Sequence, residues 1–289
     1  MTDSIDAPPA EKVFLVTGAS SGIGEATARR LAREPRSTVI LVARREERLA
    51  AICASLGSGR ASWVAADLLD DDAPERVREH VLDRHGRLDL LVNNAGAAWR
   101  AHFAQGGYEN VRRTMEINFD AQVRLTEALL PVLRASAPSA IVNVSSTAGR
   151  VARAGSGAYS ASKFALAGWS DALAVEEMPH GVHVGLVLPG FIATEGFPQA
   201  ELMEKPLTRR MVSTPERGAE AIFQAGIGRR SERYVPRPYA IAAALRVLAP
   251  GLVRRILGGE AAAAMTTTTG GDMASRNGSG SHPSAPTPG

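Results

Sequence analysis

Tyr159 and Lys163, in the stretch Tyr-Ser-Ala-Ser-Lys, are the residues whose types and spacing most directly suggest chemistry. The surrounding segment, 157–178, reads as a helix. Residues four apart on a helix share a face, so the phenol and the ammonium can point into one space. A free phenol has a pKa near 10. A cation ~4 Å away contributes on the order of 4 kcal/mol at an effective dielectric of about 20. That equals up to about three pKa units, enough to bring the phenol within working range of a general acid or base at neutral pH. Tyr-x-x-x-Lys also occurs by chance in exposed helices, so its meaning depends on what the rest of the chain places beside it.

The other end of the same region carries a nucleotide-binding pattern. Val13 to Val16 is an apolar run of the kind found in buried parallel strands. Thr17-Gly18-Ala19-Ser20-Ser21-Gly22-Ile23-Gly24 follows as a turn, and 25–32 has helical composition. Strand, glycine turn and helix together aim backbone N–H groups and a helix N-terminus at a pyrophosphate. Gly18 would make the tight turn, Gly22 would let phosphate approach, and Gly24 would let the helix pack on the strand. The spacing is Gly-x-x-x-Gly-x-Gly and not the commoner Gly-x-Gly-x-x-Gly. Further along, strands are expected at 38–43, 61–66, 88–92, 139–145, 182–188 and 232–235, and helices at 22–33, 46–56, 73–84, 109–134, 157–178 and 214–227. This alternation predicts an α/β fold: one Rossmann-type doubly wound parallel sheet with helices on both faces. Pro131 is expected to kink or loosen the 109–134 helix.

With these residues in place, the chain resembles the short-chain dehydrogenase/reductase family over about residues 12–235. The likeness rests on Thr17-Gly18 through Gly24, Asp67, Asn93-Asn94-Ala95-Gly96, Asn118, Ser145-Ser146, Tyr159 with Lys163, and Pro189-Gly190 with Thr194. It implies hydride exchange between a nicotinamide cofactor and a carbonyl or alcohol substrate, with Asn118, Ser146, Tyr159 and Lys163 as the catalytic set. Ser146 is chosen over Ser145 by the family spacing of thirteen residues before the tyrosine, and Ser145 is expected to cap backbone. Tyr159 would transfer the proton, Ser146 would hold the substrate oxygen, and Lys163 would keep Tyr159 acidic and touch the cofactor ribose. The main chain of Asn118 would hold a water linking Lys163 to solvent. The cofactor set would be Gly18, Ser20, Ser21, Gly22, Ile23, Gly24, Arg44, Asp67, Asn94, Ala95, Gly96, Tyr159, Lys163, Pro189, Gly190 and Thr194.

Cofactor choice is legible at the end of the second strand, where NAD-users of this kind place an acidic residue on the ribose 2′-hydroxyl. Here Ala43 stands at that place, followed by Arg44 and Arg45. A guanidinium suits a 2′-phosphate, so NADP(H) is expected, with NAD(H) the lesser choice. Arg44 and Arg45 could also merely open a charged helix. A second functional class, a non-catalytic nucleotide-binding sensor or scaffold on the same fold, is weakened by the intact serine, tyrosine and lysine.

The 289-residue chain has 45% hydrophobic and 22% charged residues, as folded globular proteins do. Its only cysteine, Cys53, excludes an internal disulfide, which fits a reducing, cytoplasmic compartment. The 1–11 segment lacks the basic start and apolar centre of a secretion signal. The pI of 9.3 accompanies a net charge of only +3. With Lys only at 12, 163 and 205, a small arginine excess raises the pI steeply, so no nucleic-acid partner is expected. His102, His180 and His183 form no pattern with Cys53 that suggests a metal. Trp99 follows the Asn93–Gly96 segment and is a candidate substrate contact. The variable stretch 191–212 holds Phe191, Ile192, Phe197, Leu202, Met203 and Leu207, which favours a lipophilic carbonyl substrate. Residues 239–257 are apolar, carry three arginines and break at Pro250-Gly251. They read either as short helices packed on protein or as a peripheral contact with an anionic membrane. The 258–289 tail has the composition of a disordered segment. Ala158, Ala161, Ala165, Gly168 and Ala172 make a small-residue stripe on the 157–178 helix that suits a homodimer or homotetramer.

Overall fold

The computed structural model describes residues 12–57, 59–192 and 212–259. Thr194, most of the 191–212 stretch and nearly all of the 258–289 tail lie outside these residues. Strand β1 (Lys12–Thr17) leads through the glycine turn to helix α1 (Gly22–Leu31), then β2 (Ser37–Ala43), α2 (Glu46–Leu56), β3 (Ala61–Ala65), α3 (Ala73–His85) and β4 (Leu90–Asn93). The second half runs α4 (Phe103–Met115), α5 (Ala121–Ala135), β5 (Ser139–Val144), α6 (Gly157–Glu177) and β6 (Val182–Pro189). After it come the short β7 (Phe191–Ile192) and β8 (Val212–Ser213), then α7 (Pro215–Gly226), β9 (Glu232–Val235) and α8 (Tyr239–Leu248). A last helix, α9, spans 250–259 and opens on Pro250, where a missing N–H costs nothing.

Seven strands form one parallel sheet in the order β3-β2-β1-β4-β5-β6-β9. The order reverses between β1 and β4, and such a reversal opens a crevice at the carboxyl ends of the strands. The apolar runs of β1, β2, β4 and β5 form strands because both of their faces are covered. Side chains alternate between the faces. Phe14, Val16, Val39, Leu41 and Val92 meet Leu31 of α1 and Ile222 of α7 on one side. Leu15, Ile40 and Leu91 meet Val77, Leu125, Leu129 and Leu173 from α3, α5 and α6 on the other.

One expected helix, 109–134, is built differently. Gly107, at φ +52, separates a first turn at Phe103 from the long helix, which begins beside the expected position, and Glu116–Asp120 winds as a π-helical turn between α4 and α5. Pro131 does not end or break α5, which continues to Ala135. Proline removes only the bond to the carbonyl four residues back, and that residue, Glu127, is exposed, so its carbonyl can turn to water. The irregularity sits instead at Asn118, whose side chain is tied to another segment. Sites of this kind are where π-turns recur.

The stripe on α6 faces away from this subunit's sheet at Ala161, Gly168 and Ala172, which are exposed together with Phe164 and Val175. Near the C-terminus, the compact body runs to Ala244 and a second unit begins at Leu245. Ile241, Val247, Leu248, Leu252 and Ile256 are all exposed. Among the described residues no helix is long and apolar enough to cross a membrane.

A chain of buried amides crosses the α5–α6 side of the sheet. Asn93 Nδ2 donates to Thr126 Oγ1 and to Asn143 Oδ1, both at 2.9 Å, and Asn143 Nδ2 donates to Ser170 Oγ at 2.8 Å. Cutting it leaves buried donors and acceptors unmatched. Asn143→Ala is expected to lower the unfolding free energy by about 1–3 kcal/mol, read as a lower urea midpoint at unchanged slope.

Candidate active site

The glycine turn is shaped by contacts that only glycine permits. Gly18 has φ +65 and Gly22 φ +56, conformations that glycine adopts without strain. A Cβ on Gly24 would lie 2.2 Å from the Gly18 carbonyl oxygen and 2.7 Å from Asn94 Nδ2. The Asn94 amide sits against both glycines and donates to the Thr17 carbonyl at 2.9 Å. Ser21, at the N-cap of α1, makes no side-chain cap bond. The first-turn N–H groups of α1 therefore keep the donor capacity that a pyrophosphate uses. The turn opens into a cleft of about 700 Å³ at the carboxyl end of the sheet.

That cleft brings together Gly18, Ser20, Ser21, Gly22, Ile23, Gly24, Arg44, Asp67, Asn94, Ala95, Gly96, Asn118, Ser146, Tyr159, Lys163, Pro189 and Gly190. Arg44 is exposed, with Nη1 3.7 Å from Asp67 Oδ2. Its neighbour Arg45, not singled out from the sequence, folds onto the glycine turn. Its Nη2 donates to Ser20 Oγ at 3.0 Å and to Ser21 Oγ at 2.8 Å. The tandem arginine was the available signal, but nothing in the sequence shows which of the two turns back.

Ser146 and Ser145 divide their work differently from the expectation. Ser146 Oγ accepts the Ala148 N–H at 3.1 Å, capping the Thr147–Gly149 turn, and donates to the Pro189 carbonyl at 3.3 Å. Ser145 Oγ donates to the Lys163 carbonyl at 2.8 Å and so fastens α6 to the end of β5. Ser146 and Tyr159 both line the cleft.

The electrostatics correct the tyrosine–lysine argument. Burial pushes the Tyr159 phenol up from its ordinary value, while the Ser146 hydrogen bond and the Arg100 charge pull it down less. Lys163 is not among the charges that pull the phenol down: its Nζ is 5.9 Å from the ring centroid and donates to the Val144 carbonyl at 2.9 Å. Burial brings Lys163 down to about 8. Helical spacing set the shared face correctly, but the long lysine stem is claimed by a strand carbonyl.

Asn118 is buried at 0% exposure. Its Oδ1 accepts the Ala97 N–H at 2.9 Å, and its Nδ2 donates to the Ala97 carbonyl at 2.9 Å and to Ser162 Oγ at 3.1 Å. A Cβ on Gly96 would meet Asn118 Oδ1 at 2.6 Å and Lys163 Nζ at 3.6 Å. Trp99 lines the cleft, with the Arg113 guanidinium 4.6 Å from its ring centroid. Tyr239, read only as the start of an apolar segment, packs its ring on Gly190, where a Cβ would lie 2.3 Å from Tyr239 Cε2. No sequence signal marks that contact. Among the described residues no group of three His, Cys, Asp or Glu could hold a metal.

A family model described as short chain dehydrogenase matches residues 12–205. The chain belongs to the short-chain dehydrogenase family. It is 32% identical over 216 residues to ketoacyl reductase HetN of Nostoc sp., covering 74% of this chain and 75% of that one. It is 36% identical over 221 residues to a cis-4-hydroxycyclohexanecarboxylate dehydrogenase of Sinomonas cyclohexanicum, covering 74% and 88%. The crystal structure of a short-chain dehydrogenase from Streptomyces avermitilis superposes with a TM-score of 0.72 at 33% identity, covering 89% of this chain and 99% of that one. This short-chain dehydrogenase is thus an NAD(P)-dependent oxidoreductase acting on CH–OH and C=O groups.

The glycine turn yields a direct test. Gly24→Ala must displace the Gly18 carbonyl and is expected to weaken NADPH binding about tenfold or more, roughly 1.4 kcal/mol, in a fluorescence titration. Gly168→Ala, which meets nothing within 4 Å, should bind as the parent does.

Proposed function

We propose that this enzyme reduces a lipophilic carbonyl compound with NADPH. The observation that carries the reading is that Ser146 and Tyr159 line the same cleft as the glycine turn, with Lys163 buried beside the Tyr159 ring. When bound, the nicotinamide supplies the hydride. Gly18, Ser20, Ser21, Gly22, Ile23 and Gly24 would hold the pyrophosphate, Asp67 the adenine, and Asn94, Ala95 and Gly96 its wall. Pro189 and Gly190, with Thr194, would hold the carboxamide, and Lys163 and Tyr159 the ribose.

Tyr159 gives its proton to the carbonyl oxygen while the Ser146 hydroxyl holds that oxygen and stabilises its growing charge. A phenol kept above its ordinary pKa stays protonated at neutral pH, which is the form that reduction uses. Asn118 holds the Ala97 segment and α6 in register around Lys163. NADPH over NADH follows from Ala43, from exposed Arg44 and from Arg45 beside Ser20. A phosphate–guanidinium pair contributes about 1–3 kcal/mol, or roughly five- to a hundredfold. Lipophilicity is supported by Ile117, Trp99 and Phe191 in the cleft, and by relatives named as ketoacyl, 3-oxoacyl-[acyl-carrier-protein] and 3-ketodihydrosphingosine reductases. The exposed stripe on α6 supports a homo-oligomer, and the exposed apolar positions of the second unit beside Arg246, Arg254 and Arg255 support peripheral contact with an anionic membrane.

Tyr159→Phe should lower turnover about 10²–10⁴-fold with NADPH affinity nearly unchanged. Near-parent turnover would overturn the assignment. Ala43→Asp combined with Arg44→Ala should transfer preference to NADH, measured as the ratio of kcat/KM values for the two cofactors. Reduction should also lose rate above a pH of about 8, where Lys163 gives up its proton and the charge behind Tyr159 disappears. A rate still rising through pH 9 to about 10, the free phenol range, would count against a cationic role for Lys163.

A further inference from the structure

We infer that Arg153 recognises an anionic group on the substrate, so that the enzyme's substrates are carbonyl compounds ending in a carboxylate or phosphate. This rests on the reading of Ser146 and Tyr159 as the carbonyl site and specifies what is attached to that carbonyl. Arg153 stands six residues before Tyr159, in the loop that enters α6, and lines the same cleft as Ser146 and Tyr159. Its guanidinium carbon lies 4.7 Å from the centroid of the Phe191 ring. That places it at the Pro189-Gly190 side of the cleft. A guanidinium resting on an aromatic face is held in position without losing its charge.

The neighbouring arginine shows the contrast. Arg150 pairs with Glu232 at 3.0 Å, whereas Arg153 makes no ion pair among the described residues. A second cation, Arg100, lines this part of the cleft, and its charge reaches Tyr159. The one carboxylate among the described lining residues is Asp67. It follows β3, at the far edge of the sheet, and lies beside Arg44.

Arg153 also lines a smaller hollow of about 300 Å³, shared with His102, Phe103, Asn110 and Val111 and without any carboxylate among its described lining. Arg153 is the one described residue that lines both hollows. One has the hydroxyls that act on a carbonyl, and the other gives room for a chain end. The fork of a guanidinium fits both oxygens of a carboxylate or two of a phosphate.

The test uses the full chain with NADPH and matched probes: straight-chain oxo acids, their methyl esters, and oxoalkyl phosphates of the same lengths. The acid should exceed its ester in kcat/KM by about ten- to a hundredfold, carried by KM because a group remote from the reacting carbon binds ground and transition states alike. Arg153→Gln should cut the acid-to-ester ratio at least about tenfold, and Arg153→Lys should keep part of it as a point charge. Preference between the acid and the phosphate series assigns the anion. Esters reduced as well as acids, or an acid-to-ester ratio unchanged in Arg153→Gln, would sink this inference while leaving carbonyl reduction standing. NADPH oxidation with none of the probes would sink both.

Discussion

The Thr17 hydroxyl closes the place where the sheet reverses direction, and the active site hangs from it. It donates to the Val92 carbonyl at 3.2 Å and accepts the N–H groups of Asn94 at 2.9 Å and Ala95 at 3.0 Å. β1 and β4 are neighbours in space but distant in sequence, and this side chain, with the Asn94 amide that donates to the Thr17 carbonyl, ties their carboxyl ends together beyond the strand ladder. Once Asn94 is fixed, its amide sets the spacing of Gly18 and Gly24. Once Ala95 is fixed, Gly96 lies against Asn118 and Lys163. Asn118 then reaches Ser162 on α6, the helix that carries Tyr159. A cofactor loop and an acid–base pair made from opposite halves of the chain are thereby held in one register, as a reaction needing near-contact geometry requires.

Burial is the leading influence on both Tyr159 and Lys163. Withdrawal from water raises the phenol and lowers the ammonium, so each neutral form gains relative to water. The Ser146 hydrogen bond and the Arg100 charge oppose this at Tyr159. The phenol is thereby kept in its protonated form at neutral pH, and the lysine is brought down to about 8. Lys163 keeps its place through Val144, at the end of β5, and Ser145 from the same strand end holds the Lys163 carbonyl. The helix is pinned at its catalytic residue from both its side chain and its backbone.

The strands and most helices were legible because their apolar periods and glycine punctuation are local properties. Strand β1, helix α2 and strand β9 begin and end where composition places them. The π-turn at Glu116–Asp120 was not, because its cause, the bond of Asn118 to Ala97, joins segments that sequence reading treats apart. The same holds for Arg45 on Ser20 and for Tyr239 on Gly190. The added capping role of Ser146 has a related origin. Family spacing selects which serine faces the cleft, but capping depends on the backbone path after the strand, and that path is set by Gly149, where a Cβ would lie 2.6 Å from the Lys163 carbonyl oxygen.

Charge in this molecule is arranged more tightly than its net value of +3 suggests. Across the helix surfaces, arginines meet carboxylates along their own helices: Arg29 with Glu25, Arg78 with Glu75, Arg112 with Glu109. Such exposed pairs contribute little stability each, yet they cancel the basic field over most of the surface. Inside the cleft the balance differs, with Arg44, Arg45, Arg100, Arg153 and Lys163 facing a single described carboxylate, Asp67. A low-dielectric groove focuses such a field. On the proposed reading, its two ends would draw anions for separate reasons: a nucleotide phosphate at the Arg44–Arg45 end, and the charged end of a substrate at the Arg153 end.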